Sequence, residues 1–119
     1  MSFRIAEKQA RKSTFEKHRL GAAIVKGNRV LATGFNEIRY SDITKQSTVH
    51  AEESAIIQLL KSNRLHDLLG SKLYVTRFTK AGSVACSRPC SRCLALMRSV
   101  GISRMFYIGR DGMTHEEAL

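Results

Sequence analysis

The sequence lacks long hydrophobic runs, and its first residues lack the apolar stretch of a secretion signal. The longest nearly apolar segment, Leu20–Val25, is far shorter than the roughly 20 residues that a membrane-spanning helix needs. The segment Met1–Ala10 is charged and contains no hydrophobic core of the kind that directs export. We therefore expect no membrane contact and a cytoplasmic location.

Cysteine is scarce and unevenly placed. The chain has 3 cysteines, and Cys86, Cys90 and Cys93 all fall within one short segment. A secreted disulfide framework usually has an even number of cysteines spread along the chain. The clustering argues against such a framework and indicates metal or redox chemistry instead.

Acidic residues are few, because 10 Asp and Glu stand against 20 Lys and Arg, for a formal net charge of +10. An excess of this size favours anionic partners such as nucleotides or nucleic acid. The basic residues are scattered from Arg4 to Arg110, without the continuous run that marks a disordered basic tail. Solubility explains this scatter as well as a binding surface does, so charge alone leaves the partner open.

Length and hydrophobic pattern indicate one folded domain over residues 1–119. The chain is 43% hydrophobic and 25% charged, which is enough apolar material to bury a core. Helical spacing of apolar residues alternates with β-rich runs, and the pair Gly27-Asn28 predicts a hairpin turn. The predicted elements are a helix over Ser2–Lys17, strands over Leu20–Lys26 and Arg29–Phe35, a loop over Asn36–Val49, a helix over Ala51–Lys61, a strand over Lys72–Phe78, a helix over Cys90–Val100 and a strand over Ile102–Ile108.

Capping signals refine this order. Ser47 or Thr48 is the expected cap of the second helix, and Gly101 is expected to end the third. The spacing of Thr114–Glu117 is that of a capping box, which predicts the start of a final helix. Strands interleaved with helices in this order predict an α/β fold, a three-layer α/β/α sandwich with a mixed sheet.

Two short motifs carry the chemistry, His-Ala-Glu at residues 50–52 and Pro-Cys-Ser-Arg-Cys at residues 89–93. Cys90 and Cys93 are three residues apart on a predicted helix, so both sulfurs face the same way. With His50 they supply three nitrogen and sulfur ligands for a Zn²⁺ ion, which leaves a fourth position open. Both motifs begin at predicted helix N-termini, where the positive end of the helix dipole favours thiolates.

Glu52 is a candidate for proton transfer. It follows His50 by two residues, which is about 200° around a helix axis, so it should not join His50 as a ligand. A carboxylate that lies beside a metal without binding it can act as a general acid and base. We therefore assign the catalytic role to Glu52.

The pair of motifs is the signature of zinc-dependent nucleobase deaminases. The chain resembles the cytidine deaminase-like superfamily over nearly its whole length, since its first helix, its hairpin, the two motif helices and the intervening strand follow that family's order. The resemblance implies the hydrolytic deamination of cytosine to uracil, with Glu52 passing protons to the ring and to the leaving amine. By the same resemblance, Asn36 hydrogen-bonds the sugar, the Ala51 amide and the Arg88 carbonyl orient the base, and His18 lies near the base. A turn role for Asn36 and a loop role for His18 are the alternatives.

Two substrate classes compete. The segment 18–23 and the long connection before Cys90 are similar to deaminases of free cytidine, so we expect a free cytosine nucleoside or nucleotide. His50 stands where small enzymes of that type have a cysteine, and Ile38 stands where they have a ribose-binding glutamate. The histidine ligand is shared with deaminases of nucleotides, tRNA and polynucleotides, and the charge of +10 favours the alternative substrate, single-stranded DNA or RNA. Relatives of this size commonly form homo-oligomers, and we expect a dimer or tetramer.

Other interpretations give the same residues no catalytic role. Cys86 lies four residues before Cys90, so it could complete a closed structural zinc site in a non-enzymatic protein. The deaminase spacing of Glu52 argues against that alternative. Arg88 and Arg92 flank the cysteines and either meet a substrate phosphate or face solvent.

Overall fold

The computed structural model describes residues 2–13, 18–41 and 46–119. These residues form helices, strands and one short 3-10 helix, Leu65–Leu68. The α-helices are α1 (Ser2–Ala10), α2 (Ala51–Lys61) and α3 (Ser91–Ser99). The strands are β1 (His18–Lys26), β2 (Arg29–Phe35), β3 (Glu37–Ser41), β4 (Gln46–Val49), β5 (Lys72–Thr79), β6 (Arg104–Ile108) and β7 (Thr114–Ala118).

Five strands form the main sheet in the order β2-β1-β5-β6-β7. The β5/β6 pair is parallel, and the other neighbours in this sheet are antiparallel. The strands β5 and β6 can be parallel because the long connection through α3 brings the chain back to the end of the sheet at which β5 begins. The sheet is therefore mixed, as predicted.

Two glycines show that helices approach both faces of this sheet closely. A Cβ on Gly21 would overlap the Ala6 carbonyl oxygen of α1, and one on Gly34 would overlap the Ala51 carbonyl oxygen of α2. Gly34 pairs with Ala22, so these two residues share one face and Gly21 belongs to the other. The helices α1 and α2 therefore cover opposite faces, and the predicted three-layer α/β/α sandwich is confirmed.

The main core lies between the sheet and the layer that contains α2 and α3. Side chains of both helices are buried there against β1 and β5, which places the two helices on one face of the sheet. This packing fixes the helix N-termini that carry the two motifs. The buried side chains include Ile24, Ile56, Leu59, Leu73, Val75, Leu94 and Met97.

Two predicted elements are wrong. The polar segment 36–49 is not a loop, because β3 and β4 pair antiparallel within it, with Glu37 opposite Val49. Ladder hydrogen bonds between two strands need no apolar face, so polar composition did not reveal this hairpin. The segment Thr114–Glu117 does not start a helix, because it pairs residue for residue with β6 as part of β7. Pairing with an open sheet edge outweighed the local capping-box signal.

Two helix boundaries also differ from the prediction. The N-cap of α2 is His50 and not Ser47 or Thr48, since those residues belong to β4. The helix α1 ends at Ala10 and does not continue toward Lys17. Backbone bonds from residues 12 and 13 to carbonyls three residues earlier tighten its last turn. Residues 14–17 lie outside the described part of the chain. The predicted end of α3 at Gly101 is confirmed, with a φ of 90°.

Candidate active site

The two motif helices bring the predicted metal ligands together at their N-termini. His50 is the N-cap of α2 and Cys90 is the N-cap of α3, each with extended backbone and no side-chain capping bond. Cys93 follows in the first turn of α3 and is buried. Their ligand atoms all lie within 4.8 Å of one another, with His50 Nδ1 3.3 Å from Cys93 Sγ and 3.9 Å from Cys90 Sγ.

The chemistry of these three donors fits a zinc ion. Burial lowers the pKa of His50, which keeps the imidazole neutral and free to donate a lone pair. Burial, and next the charge of Glu52, raise the pKa of the Cys93 thiol. A buried thiolate at this position therefore needs a cation beside it, and one imidazole with two thiolates is a donor set that zinc favours.

Glu52 lies in the first turn of α2 and is 2% exposed. Burial raises the pKa of its carboxyl from 4.5 to about 7, although hydrogen bonds from the backbone and from Cys93 oppose the shift. Its Oε1 atom has no hydrogen-bond partner within the described residues. Both protonation states are therefore accessible near neutral pH, which suits a group that moves protons.

The neighbouring carboxylate, Glu53, is in a different environment. It is fully buried, and Arg92 Nη2 donates to its Oε1 over 2.7 Å. The same guanidinium nitrogen lies 3.1 Å from His50 Nε2. Sequence reasoning offered Arg92 either a phosphate or solvent, whereas the structure shows it in an ion pair between α3 and α2.

A cavity of about 410 Å³ opens beside these residues. Three of the four predicted substrate-binding residues, His18, Asn36 and Arg88, line it, whereas Ala51 is fully buried and is not among the described lining residues. Two of the three metal-ligand candidates, His50 and Cys90, also line the cavity, together with Glu52. The full set is His18, Leu20, Asn36, Val49, His50, Glu52, Arg77, Cys86, Ser87, Arg88, Pro89 and Cys90.

Asn36 joins the end of β2 to β1. Its Nδ2 donates to the His18 carbonyl over 2.8 Å, and its Oδ1 accepts from the Leu20 amide over 2.8 Å. These bonds fix the carboxamide at the cavity wall. One N–H of the amide group is left for a ligand.

The Arg88 side chain is held by β7. Its Nε and Nη2 donate to the two carboxylate oxygens of Glu117 over 2.9 and 3.2 Å, and the Tyr107 hydroxyl donates to the same carboxylate. These hydrogen bonds, that of Arg88 first, lower the pKa of Glu117 to about 2. Sequence reasoning missed Glu117, because its partners are distant in the sequence.

Two further lining residues have distinct environments. Cys86 is half-buried and lies outside the three-ligand cluster, so the structure does not support the closed four-ligand alternative. Arg77 extends from β5 into the cavity wall, where its Nη2 donates to His18 Nδ1 and its Nη1 donates to the Cys86 carbonyl over 3.4 Å. No sequence motif marks Arg77, and sequence reasoning missed it.

Comparison with known proteins identifies the family of this chain. Residues 1–109 match the family model described as the cytidine and deoxycytidylate deaminase zinc-binding region. The chain is 30% identical over 126 residues to a deoxycytidylate deaminase of Mycobacterium phage D29, covering 87% of this chain and 88% of the relative. The chain therefore belongs to the cytidine and deoxycytidylate deaminase family, and it is a zinc-dependent deaminase of that type.

Solved structures show the same fold. The apo dCMP deaminase of cyanophage S-TIM5 superposes with a TM-score of 0.65 at 24% identity, covering 86% of this chain and 75% of that one. The cytidine deaminase of Burkholderia pseudomallei gives a TM-score of 0.72 at 18% identity, covering 98% of this chain and 89% of that one.

Within the described residues, no helix has both the length and the apolar character needed to cross a membrane.

Proposed function

We propose that this protein hydrolyses the exocyclic amino group of cytosine, giving uracil, in a free nucleoside or nucleotide. The observation that carries the proposal is the position of Glu52. Its buried carboxyl, with a pKa of about 7, lines the same cavity as His50 and Cys90. A proton carrier next to a metal site is what hydrolytic deamination requires.

In this proposal, His50 Nδ1 and the thiolates of Cys90 and Cys93 hold one zinc ion per chain. When bound, zinc supplies a Lewis acid that lowers the pKa of a water molecule toward neutrality. Glu52 accepts one proton of the water whose oxygen bonds to C4 and delivers that proton to N3 of the cytosine ring. Glu52 then takes the remaining proton from the new C4 hydroxyl and passes it to the exocyclic amine, and the C4–N bond breaks to release ammonia as the C4 carbonyl of uracil forms. Burial suits this carboxyl to each transfer, because a pKa of about 7 lets it both accept and donate a proton near neutral pH.

The cavity walls orient the substrate. By the family resemblance, the Ala51 amide and the Arg88 carbonyl orient the base, His18 lies near the base, and Asn36 binds the sugar. Ala51 is buried beside the cavity and is not among its described lining residues. The remaining N–H of the Asn36 carboxamide is the donor that a sugar hydroxyl can use. A volume of about 410 Å³ is within the range of pockets that take one small molecule.

A polynucleotide is the alternative substrate, favoured by the net charge of +10. The phage relative named a deoxycytidylate deaminase supports the free nucleotide as the substrate.

We also predict that the protein is a homo-oligomer, a dimer or a tetramer. Light scattering tests this prediction by measuring the mass of the particle in solution.

The test is ammonia release by the zinc-loaded protein from cytidine, deoxycytidine, dCMP and a cytosine-containing oligonucleotide. We expect turnover of at least one free compound by a protein that holds one zinc per chain. The control is Glu52→Gln, which should retain the zinc and lose turnover. Turnover of the oligonucleotide alone would establish the alternative, and a zinc-loaded protein without any turnover would refute the proposed function.

A further inference from the structure

The two arginines that line the cavity differ in their charge balance. Arg88 is paired with Glu117 through two hydrogen bonds, so its positive charge is neutralised within the protein. Arg77 has hydrogen bonds to His18 Nδ1 and to the Cys86 carbonyl oxygen, and both acceptors are uncharged. Within the described residues, Arg77 has no acidic partner.

The position of Arg77 follows from the register of β5. Side chains of a strand alternate between faces, so Arg77 shares a face with Val75 and Leu73, which are fully buried in the core beneath α2 and α3. Leu20, its partner on β1, also lines the cavity. Arg77 therefore lies at the boundary between the hydrophobic core and the cavity, on the face of the sheet that the motif helices cover.

The hydrogen bonds of Arg77 orient its guanidinium without neutralising it. A guanidinium can only donate, so His18 Nδ1 is the acceptor of this hydrogen bond. The Arg77 Nε atom is buried and has no partner within the described residues. A full charge and an unused buried donor at a cavity wall together call for an anionic ligand.

We propose that Arg77 is a specificity-determining residue that binds the phosphate monoester of a nucleotide substrate. The proposal rests on the proposed function, because the cavity is the one assigned to cytosine deamination. A planar guanidinium with free donors matches the geometry of phosphate oxygens.

The free nucleotide, and not a polynucleotide, is the source of phosphate that these observations favour. A polynucleotide is held by several cations that follow its backbone. Within the described lining residues, Arg77 is the one arginine that lacks an acidic partner. One such cation in a cavity of about 410 Å³ matches one terminal phosphate.

The test is the binding of the products dUMP and deoxyuridine, measured by calorimetry, because product binding needs no turnover. We expect the wild type to bind dUMP about 10- to 100-fold more tightly than deoxyuridine, which is the effect of one charge-assisted interaction. Arg77→Gln should abolish this ratio by weakening dUMP binding more than deoxyuridine binding. Arg77→Lys, which retains the charge without the planar fork, should give an intermediate ratio. The control is Arg110→Gln, an exposed arginine outside the cavity that makes the same change in net charge.

Equal affinities for dUMP and deoxyuridine in the wild type would overturn the proposal, as would a dUMP preference that survives in Arg77→Gln. Preferred binding of a uracil-containing oligonucleotide, lost in Arg77→Gln, would assign the residue to a polynucleotide phosphate and overturn the free-nucleotide assignment. If dUMP binding depends on Arg77 but no cytosine compound is deaminated, the proposed function fails and the phosphate site stands. Ratios of kcat/KM for dCMP and deoxycytidine should follow the binding ratios wherever turnover is seen.

Discussion

The first turn of α2 and the strand β7 each place a glutamate near the cavity, and the two carboxyls have opposite properties. Glu52, in α2, is 2% exposed and has no ion pair with any described residue, and burial raises the pKa of its carboxyl to about 7. Glu117, in β7, is partly exposed and accepts hydrogen bonds from Arg88 and Tyr107, which lower its pKa to about 2. The same type of side chain thus has a raised pKa in one region and a lowered pKa in the other, and the raised pKa suits Glu52 to the proton transfer that we propose for it.

The difference comes from desolvation and partners. A carboxyl removed from water without a cation favours its neutral form, whereas one that accepts charged donors favours the anion. Glu53 is also fully buried, but it is paired with Arg92 over 2.7 Å. The first turn of α2 therefore holds one buried carboxyl with a cation partner, Glu53, and one, Glu52, for which the described residues supply no ion pair.

The largest expected effect comes from Glu52→Gln, which removes the proton carrier. We expect kcat for cytosine deamination to fall by about 100- to 10,000-fold, the usual contribution of a general acid and base, with zinc content unchanged. The matched control is Glu116→Gln, which changes an exposed carboxylate of β7 that is paired with Arg104. Steady-state rates and metal analysis of both variants make the comparison.

Loss of zinc from Glu52→Gln would make Glu52 a ligand and contradict its assignment. A rate near that of the wild type would place the proton carrier elsewhere. If Glu116→Gln lost as much activity as Glu52→Gln, the effect would reflect charge and not position.

The next effect is on stability and comes from Arg92→Met, which leaves Glu53 buried without a cation. Breaking a buried ion pair from one side costs about 3 kcal/mol or more, and the Arg92 side chain is 32% exposed, so we expect about 3 kcal/mol. Urea unfolding of the zinc-free protein measures the change. Adding Glu53→Gln to Arg92→Met should restore much of the loss, because the stranded charge is then removed.

The control for this variant is Arg104→Met, which removes a more exposed pair with Glu116. Its expected cost is below about 1 kcal/mol. Equal losses for Arg92→Met and Arg104→Met would mean that burial of Glu53 does not strengthen its dependence on a cation.

The smallest effect is that of Glu117→Gln, which loosens Arg88 at the edge of the cavity. Because the folded-state pKa of Glu117 is lowered from 4.5 to about 2, its contribution to stability is present above pH 4.5 and is lost as the pH falls from 4.5 toward 2. The pair is exposed, so the wild type should unfold roughly 4 °C or less above the variant at pH 7. Thermal unfolding at pH 7, 4 and 3 should show this gap closing, whereas a gap that widens toward acid would contradict the lowered pKa.

The catalytic motifs could be predicted from the sequence because the relevant spacings are local. Two cysteines three residues apart on a helix share a face, and His50 and Cys90 stand at helix N-termini as expected. The structure adds that all three donors meet within 4.8 Å. The sandwich could also be predicted, because its helices and strands have their own hydrophobic periods.

What the sequence did not predict depends on contacts between distant segments. The strand β7 forms because β6 offers an unpaired edge, and no local pattern in Thr114–Ala118 reports that edge. Arg77 lies in a strand and Arg88 in a loop, and nothing local to either residue indicates its partner. Only the fold shows that Arg88 pairs with Glu117, whereas Arg77 has no acidic partner in the part of the chain that the structure describes. The β3/β4 hairpin was missed for the same reason, since its polar strands form by hydrogen bonding to each other and have no hydrophobic pattern of their own.

The central claim is that burial without a cation separates Glu52 from Glu117, and a carboxyl titration tests it most directly. Carbon-13 NMR of the zinc-free protein, with Glu52→Gln and Glu117→Gln to assign the two signals, gives both midpoints in one experiment. We predict a midpoint for Glu52 near pH 7 and for Glu117 near pH 2. A Glu52 midpoint near its ordinary value of 4.5 would contradict the account, because that carboxyl would then be an ordinary anion at neutral pH.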